Sequence, residues 1–212
     1  MNTTPHRGGR RARSLAALSV AVGVAAPALA PASADAAPSI EVRASKHVLV
    51  GHDVRVKGRL DATGRRAVRV EGRTRGHAWR TLDTARTGAS GRFRAAFPSR
   101  RLGRVKLRVV ASGSVSPVRH TTVYRRVSAS YYGPGLYGNK LACGGRLHRG
   151  TIGVANKTLP CGSKVRLRYR GRSIAVRVID RGPYVSGRTY DLTEATKERL
   201  HFPSTGTVWS SR

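Results

Sequence analysis

Acidic side chains are scarce in this chain. Ten Asp and Glu stand against forty-one Lys and Arg, for a formal net charge of +31. Other scarcities narrow the function classes. Two cysteines are too few for a disulfide-dense scaffold or a four-thiolate zinc site, and the seven His are scattered, so no metal site is read. Beyond the first thirty-odd residues no apolar run could span a membrane. Aromatic residues are 6% of the chain and do not interleave with the basic ones, which argues against a single-strand nucleic-acid binder. No phosphate-cradling glycine loop precedes a helix, no tandem repeat is visible, and no cofactor is implied.

What is present begins with a leader. Met1–Ser14 carries four Arg and no acid, Leu15–Ala30 is apolar and small, and Ala32-Ser33-Ala34 and Ala34-Asp35-Ala36 offer small-x-small cleavage sites. Residues 1–36 therefore read as an export signal, with no membrane anchor left after cleavage. Arg10-Arg11 leaves a twin-arginine route open beside general secretion. In an exported protein, Cys143 and Cys161 form a disulfide by default, with two buried thiols as the alternative. The charge, +17 across residues 38–127 and +11 across 128–212, favours polyanions, which outside a cell means anionic wall polymers rather than nucleic acid. Thirty-four of the forty-one basic residues are Arg, which GC-rich coding bias explains equally well.

The fold class is all-β. Val54–Leu60, Val68–Glu71 and Val105–Val109 alternate apolar and polar residues with period two, and Gly-rich turns separate them. Residues 38–116 read as a β-sandwich with Trp79 in its core. The Trp strand followed by "TARTGASGRF" resembles exported immunoglobulin-like modules. Residues 117–127 show little alternation and read as a linker. The second domain, 128–212, is also β, with Val165–Tyr169 alternating and Ile174–Ile179 a buried run. One short helix is expected over 193–200, capped by Thr193 or Asp191 and followed by Pro203.

Three ordered motifs mark this second domain: "SASYYGPGLYGNKLACGG" at 128–145, "GVANKTLPCGSKVRL" at 153–167 and "VIDRGPYVSGRTYDLT" at 178–193. Together they resemble the rare-lipoprotein-A family, whose fold is a six-stranded double-psi β-barrel shared with expansins and barwin-like proteins. The resemblance implies a secreted or wall-located protein acting on peptidoglycan glycan strands, as a lytic transglycosylase does. Such an enzyme lets the sugar's own 6-hydroxyl attack, so one acid/base carboxyl can suffice. Asp180 matches the acid of the family's Asn-Asp-Arg-Gly-Pro motif and Asp191 that of its Asp-Leu-Ser/Thr motif. Both are catalytic candidates. The plainer readings are that Asp191 caps the helix and that Asp180 pairs with Arg181 or a neighbouring Arg to hold the Gly182-Pro183 turn.

The sequence also departs from the family. Gly145 stands where active relatives have Glu, and Asn156 where they have His, so two groups associated with cleavage are absent. Asn156 keeps hydrogen-bonding capacity and joins Tyr131, Tyr132, Arg181 and Tyr184 as a candidate sugar contact. Two rivals to an enzyme follow: a non-catalytic or expansin-like wall-loosening protein, and a barwin-like interaction module. Cysteines at 143 and 161 resemble those of a secreted actinobacterial branch.

Overall fold

The alternating segments become strands wherever one face is buried. The structure, a computed structural model, describes residues 37–212; the leader expected over 1–36 lies outside the described residues. The first eight strands are β1 (Ile40–Ala44), β2 (His47–Leu49), β3 (Asp53–Leu60), β4 (Ala67–Arg73), β5 (Arg80–Arg86), β6 (Arg92–Pro98), β7 (Gly103–Ala111) and β8 (Ser114–Val115). There follow β9 (Arg119–Tyr132), β10 (Val154–Ala155), β11 (Lys164–Tyr169), β12 (Arg172–Asp180), β13 (Tyr190–Thr193), α1 (Glu194–Leu200) and β14 (Thr205–Ser210). Among the described residues no helix is long and apolar enough to cross a membrane.

The N-terminal part is a sandwich. A sheet ordered β1-β3-β6 faces a second one ordered β5-β4-β7-β9. Val42, Val54, Val56 and Phe93 from the first sheet meet Val68, Val70, Leu107 and Val109 from the second in one core. Trp79 does not join this core. It is half-buried, with the guanidinium groups of Arg73 and Arg108 over its ring at 4.7 and 4.3 Å. In so Arg-rich a sandwich the indole face is covered by cations rather than by aliphatic side chains.

The C-terminal part is a closed ring of six strands, β13-β10-β12-β11-β14-β9, with β9 pairing back to β13. Closure leaves no free sheet edge. Two of the ladders, β10 with β12 and β13 with β9, are parallel. The barrel interior is filled by Val165, Leu167, Val178, Tyr190, Leu192 and Val208, each fully buried.

Residues 117–127 are not a loose linker. Arg119–Tyr132 is one 14-residue strand that belongs to both parts. Its first half pairs with β7 and β2, and its second with β14 and β13. Alternation is missing there because Thr121, Thr122, Val123 and Tyr124 are all buried in succession. A strand covered on both faces has no period-two pattern to read.

Candidate functional site

The site is built where β10 lies between β12 and β13. Ala155 of β10 is in register with Asp180 on one side and Asp191 on the other. Residues directly opposite in a ladder share a face, so both carboxyls point to the same side of the sheet. Strands two apart place their Cα atoms about 10 Å from each other. Ala155, 3% exposed, lies between the two carboxyl-bearing strands. Asp191 is in turn in register with Ser130 of β9, and Tyr132, two residues further along, faces the same way.

Asp180 closes β12. Its Oδ1 accepts hydrogen bonds from the backbone N–H of Ala142 and of Arg181, both at 2.9 Å. No described residue donates to its Oδ2, and no Arg side chain pairs with it. Asp191 is not the helix cap. Its Oδ1 accepts from the Ser130 hydroxyl, whose oxygen accepts from Arg188 Nη1 at 3.1 Å. The cap is Thr193, which accepts from the Thr196 N–H. Asp191 lies in β13, with its side chain directed across the sheet rather than along the helix axis.

Tyr132 lies near both acids. Its hydroxyl is buried and meets no hydrogen-bond partner among the described residues. Burial, with the charges of Asp180 and Asp191, pushes its ionisation far above the usual phenol range. Asp180 is near enough to act on the phenol, yet the two do not reach hydrogen-bond geometry. The phenol therefore keeps its proton and remains a donor awaiting an acceptor. Tyr131 has Lys197 Nζ over its ring at 4.5 Å. Tyr184 is 82% exposed on the loop after Gly182-Pro183, an open aromatic face beside Asp180 in sequence.

Two expected sugar contacts turn out to be structural. Asn156 is 5% exposed. Its Nδ2 donates to Thr189 O, and its Oδ1 accepts from the N–H groups of Thr158 and Leu159. Arg181 Nη1 donates to the carbonyls of Asn156 and Leu159, and Nη2 lies 3.1 Å from Cys161 Sγ. Both side chains fasten the 156–161 loop, so neither is directed to a ligand. Gly145 is exposed at φ +77°, with open space where a Cβ would lie.

Cys143 and Cys161 are disulfide-bonded, with Cα atoms 5.5 Å apart. The bridge joins the loop that touches Asp180 to the loop that Arg181 holds. The Cys143 N–H donates to Ile179 O and the neighbouring Ala142 N–H to Asp180 Oδ1, so the bridge fixes one of the two donors that orient the carboxyl.

Ser130, Arg188, Tyr137 and Glu194 were not anticipated. Glu194 opens α1, packs close to Gly133 and accepts from the Tyr137 hydroxyl at Oε2. The barrel domain holds four acids, Asp180, Asp191, Glu194 and Glu198, and the first three border the strand end Ser130–Gly133. Scarcity was the available signal, because an acid in so basic a chain is a conspicuous choice.

Comparison with known proteins agrees with this geometry. Residues 124–209 match the lytic transglycolase family model. A probable endolytic peptidoglycan transglycosylase RlpA of Synechocystis is 38% identical over 80 residues, 37% of this chain and 25% of that protein. The endolytic peptidoglycan transglycosylase RlpA of Campylobacter jejuni is 37% identical over 82 residues, 38% of this chain and 30% of that protein. The one from Pseudomonas aeruginosa is 39% identical over 95 residues, 43% of this chain and 28% of that protein. The chain thus spans about a quarter to a third of the length of these relatives. The shared segment coincides with the six-stranded ring and includes both carboxylates that flank Ala155. By these matches and that ring, residues 124–209 are a double-psi β-barrel domain of the RlpA-like, lytic-transglycosylase family.

Proposed function

We propose that this is an exported protein of the cell wall whose barrel groove binds peptidoglycan glycan strands and cleaves them as a lytic transglycosylase. The observation that carries the reading is the register of Asp180 and Asp191 on either side of Ala155, with both charges acting on the nearby Tyr132. In this reading Asp180 is the acid/base group. Its Oδ2 protonates the glycosidic oxygen as the bond to the anomeric carbon breaks, leaving an oxocarbenium-like centre. The same carboxylate then takes the proton of the sugar's 6-hydroxyl as that oxygen bonds to the anomeric carbon. The product is a 1,6-anhydro end, with no water consumed. Asp191, oriented by Ser130 and Arg188, supplies negative charge near the developing cation. Tyr184 offers a stacking face. The export expected from the leader brings the protein to this substrate and also exposes it to anionic wall polymers.

A second reading has its own support: the chain binds glycan without cleaving it. Gly145 presents no side chain and Asn156 is engaged in its own loop, so neither position supplies the Glu or His side chain of active relatives. One experiment separates the two. The purified protein is incubated with peptide-free glycan strands and the products are examined by mass spectrometry. Anhydro-ended fragments support the enzyme. Co-sedimentation with glycan and no fragments supports the binder.

A further inference from the structure

Away from the barrel groove, the sandwich and the barrel together enclose a cleft of about 760 Å³. Its wall includes Arg43, Lys46 and Arg104 from the sandwich, Arg119 and His120 from the shared strand β9, and Arg166 from the barrel. None of the residues lining it carries a carboxylate. Among the described residues the ion pairs are those of Arg69 and Arg108 with Glu71, so no cation of the cleft is neutralised by a protein partner. The side chains of Lys46, Arg104 and Arg166 donate to no described residue. Arg119 is turned inward, its Nε donating to Val42 O at 2.8 Å. His47 lies in the same wall, its Nδ1 3.1 Å from the Tyr124 hydroxyl. Like charges gathered in a concavity repel one another, and a cleft focuses their field on whatever enters.

We propose that this cleft is a binding site for a phosphate-bearing polymer, taken up lengthwise between the two domains. Arg forks match tetrahedral phosphate in geometry and charge, and several unpaired cations along one cleft fit a repeating anion better than a single one. Burial, with the nearby Arg168, Lys46 and Arg166 charges, holds His47 below its usual pKa, and burial with Arg104, Lys106 and Arg166 does the same at His120. Both rings are thus neutral at pH 7, and the free cations of the site are Lys46, Arg104, Arg166 and Arg43. That the polymer belongs to the cell envelope rests on the wall location proposed above; the preference for phosphate rests on the cleft alone.

The test must separate a site from the diffuse effect of a large net charge. Binding of poly(glycerol phosphate) to the purified protein is measured by calorimetry for two triple variants, each losing three charges. One is Lys46→Gln, Arg104→Gln, Arg166→Gln in the cleft. The other is Arg65→Gln, Arg75→Gln, Arg199→Gln at exposed positions elsewhere. The expected result is an affinity loss of about 10-fold or more for the cleft triple and less than about threefold for the other. Equal losses would overturn the site. Wild-type binding of poly-glutamate as tight as that of poly(glycerol phosphate) would overturn the phosphate preference. Tighter binding of a single-stranded oligonucleotide would overturn the wall polymer as its partner. Glycan co-sedimentation is run on the same variants. If the glycan reading fails, wild type and both triples all fail to sediment with glycan, whereas failure of the cleft shows only with the phosphate polymer.

Discussion

At the scale of single residues, hydrogen bonding decides which of the candidate side chains remains free to act. Asp180 is positioned by two backbone donors on one oxygen and keeps the other open, the arrangement a proton-transfer group needs. Asp180→Asn preserves its shape and removes the transferable proton. Anhydro-product formation should fall by about 100-fold or more, with glycan binding kept within a few-fold. Loss of both together, followed by co-sedimentation, would assign Asp180 to the groove's shape instead. Asp191 and Thr193 make a contrasting pair. Thr193→Ala removes the cap and should lower stability by about 1 kcal/mol. Asp191→Asn leaves the cap intact, so thermal unfolding should change little while turnover falls. A larger stability loss for Asp191→Asn than for Thr193→Ala would contradict this assignment.

At the scale of elements, the site depends on three short connections held by side chains. The Thr193 and Thr196 hydroxyls anchor α1 to Gly153, whose backbone approaches Ile179 so closely that an added Cβ would lie 2.3 Å from Ile179 Cδ1. Arg181 and Asn156 hold the 156–161 loop. The disulfide spans 18 residues and locks that loop to the one carrying Ala142. Closing a loop of this size stabilises by about 3 kcal/mol. The Cys143→Ser, Cys161→Ser double variant should therefore lose roughly that much unfolding free energy in a denaturant titration. It should also lose turnover beyond what stability explains, because Ala142 no longer fixes Asp180. Wild-type turnover in a folded double variant would show that the bridge serves stability alone.

At the scale of the whole molecule, β9 makes the sandwich and the barrel continuous. Val127, Arg126 and Arg125 pair with Val208, Trp209 and Ser210, and Tyr124 packs against Trp209. A fragment beginning at residue 128 loses those pairs from the closing ladder, whereas one beginning at 119 keeps them. Calorimetry should find a single transition for the full protein and a much lower melting temperature for 128–212 than for 119–212. Equal melting of the two fragments would show that the shared strand is only a tether. The charge distribution adds a pH effect. His47 and His120 are held below their usual pKa in the folded state, so the unfolded chain binds protons more readily. Stability should be full above about pH 7 and decline as pH falls through about 6.5. Their causes are burial together with Arg168, Lys46, Arg166, Arg104 and Lys106, and Tyr124 also faces His47. His47→Gln with His120→Gln should flatten the decline. Glu71, held below its usual range by Arg108 and Arg69 against the opposing effect of burial, adds a separate loss at more acid pH.

Read alone, the sequence determines the β class, the positions of β3, β7, β11 and β12, the helix after Thr193 and the two carboxylates of interest. These are local or compositional properties. Period-two burial, capping chemistry and the rarity of acids all survive in a linear string. What the tertiary structure alone decides is which side chains remain free. Asn156 and Arg181 carry polar groups suited to a sugar, yet the carbonyls and N–H groups of one loop occupy them. Asp191 sits where a helix cap would be, yet its strand pairs with β9 and turns it toward Ser130. From Arg119 on, the linker read at 117–127 is a strand whose alternation vanishes where Thr121–Tyr124 are buried in succession. Ring closure brings Tyr132 near Asp180 and Asp191, which lie 48 and 59 residues away along the chain. Long-range pairing sets that arrangement, and a one-dimensional pattern does not record the partners of a ladder.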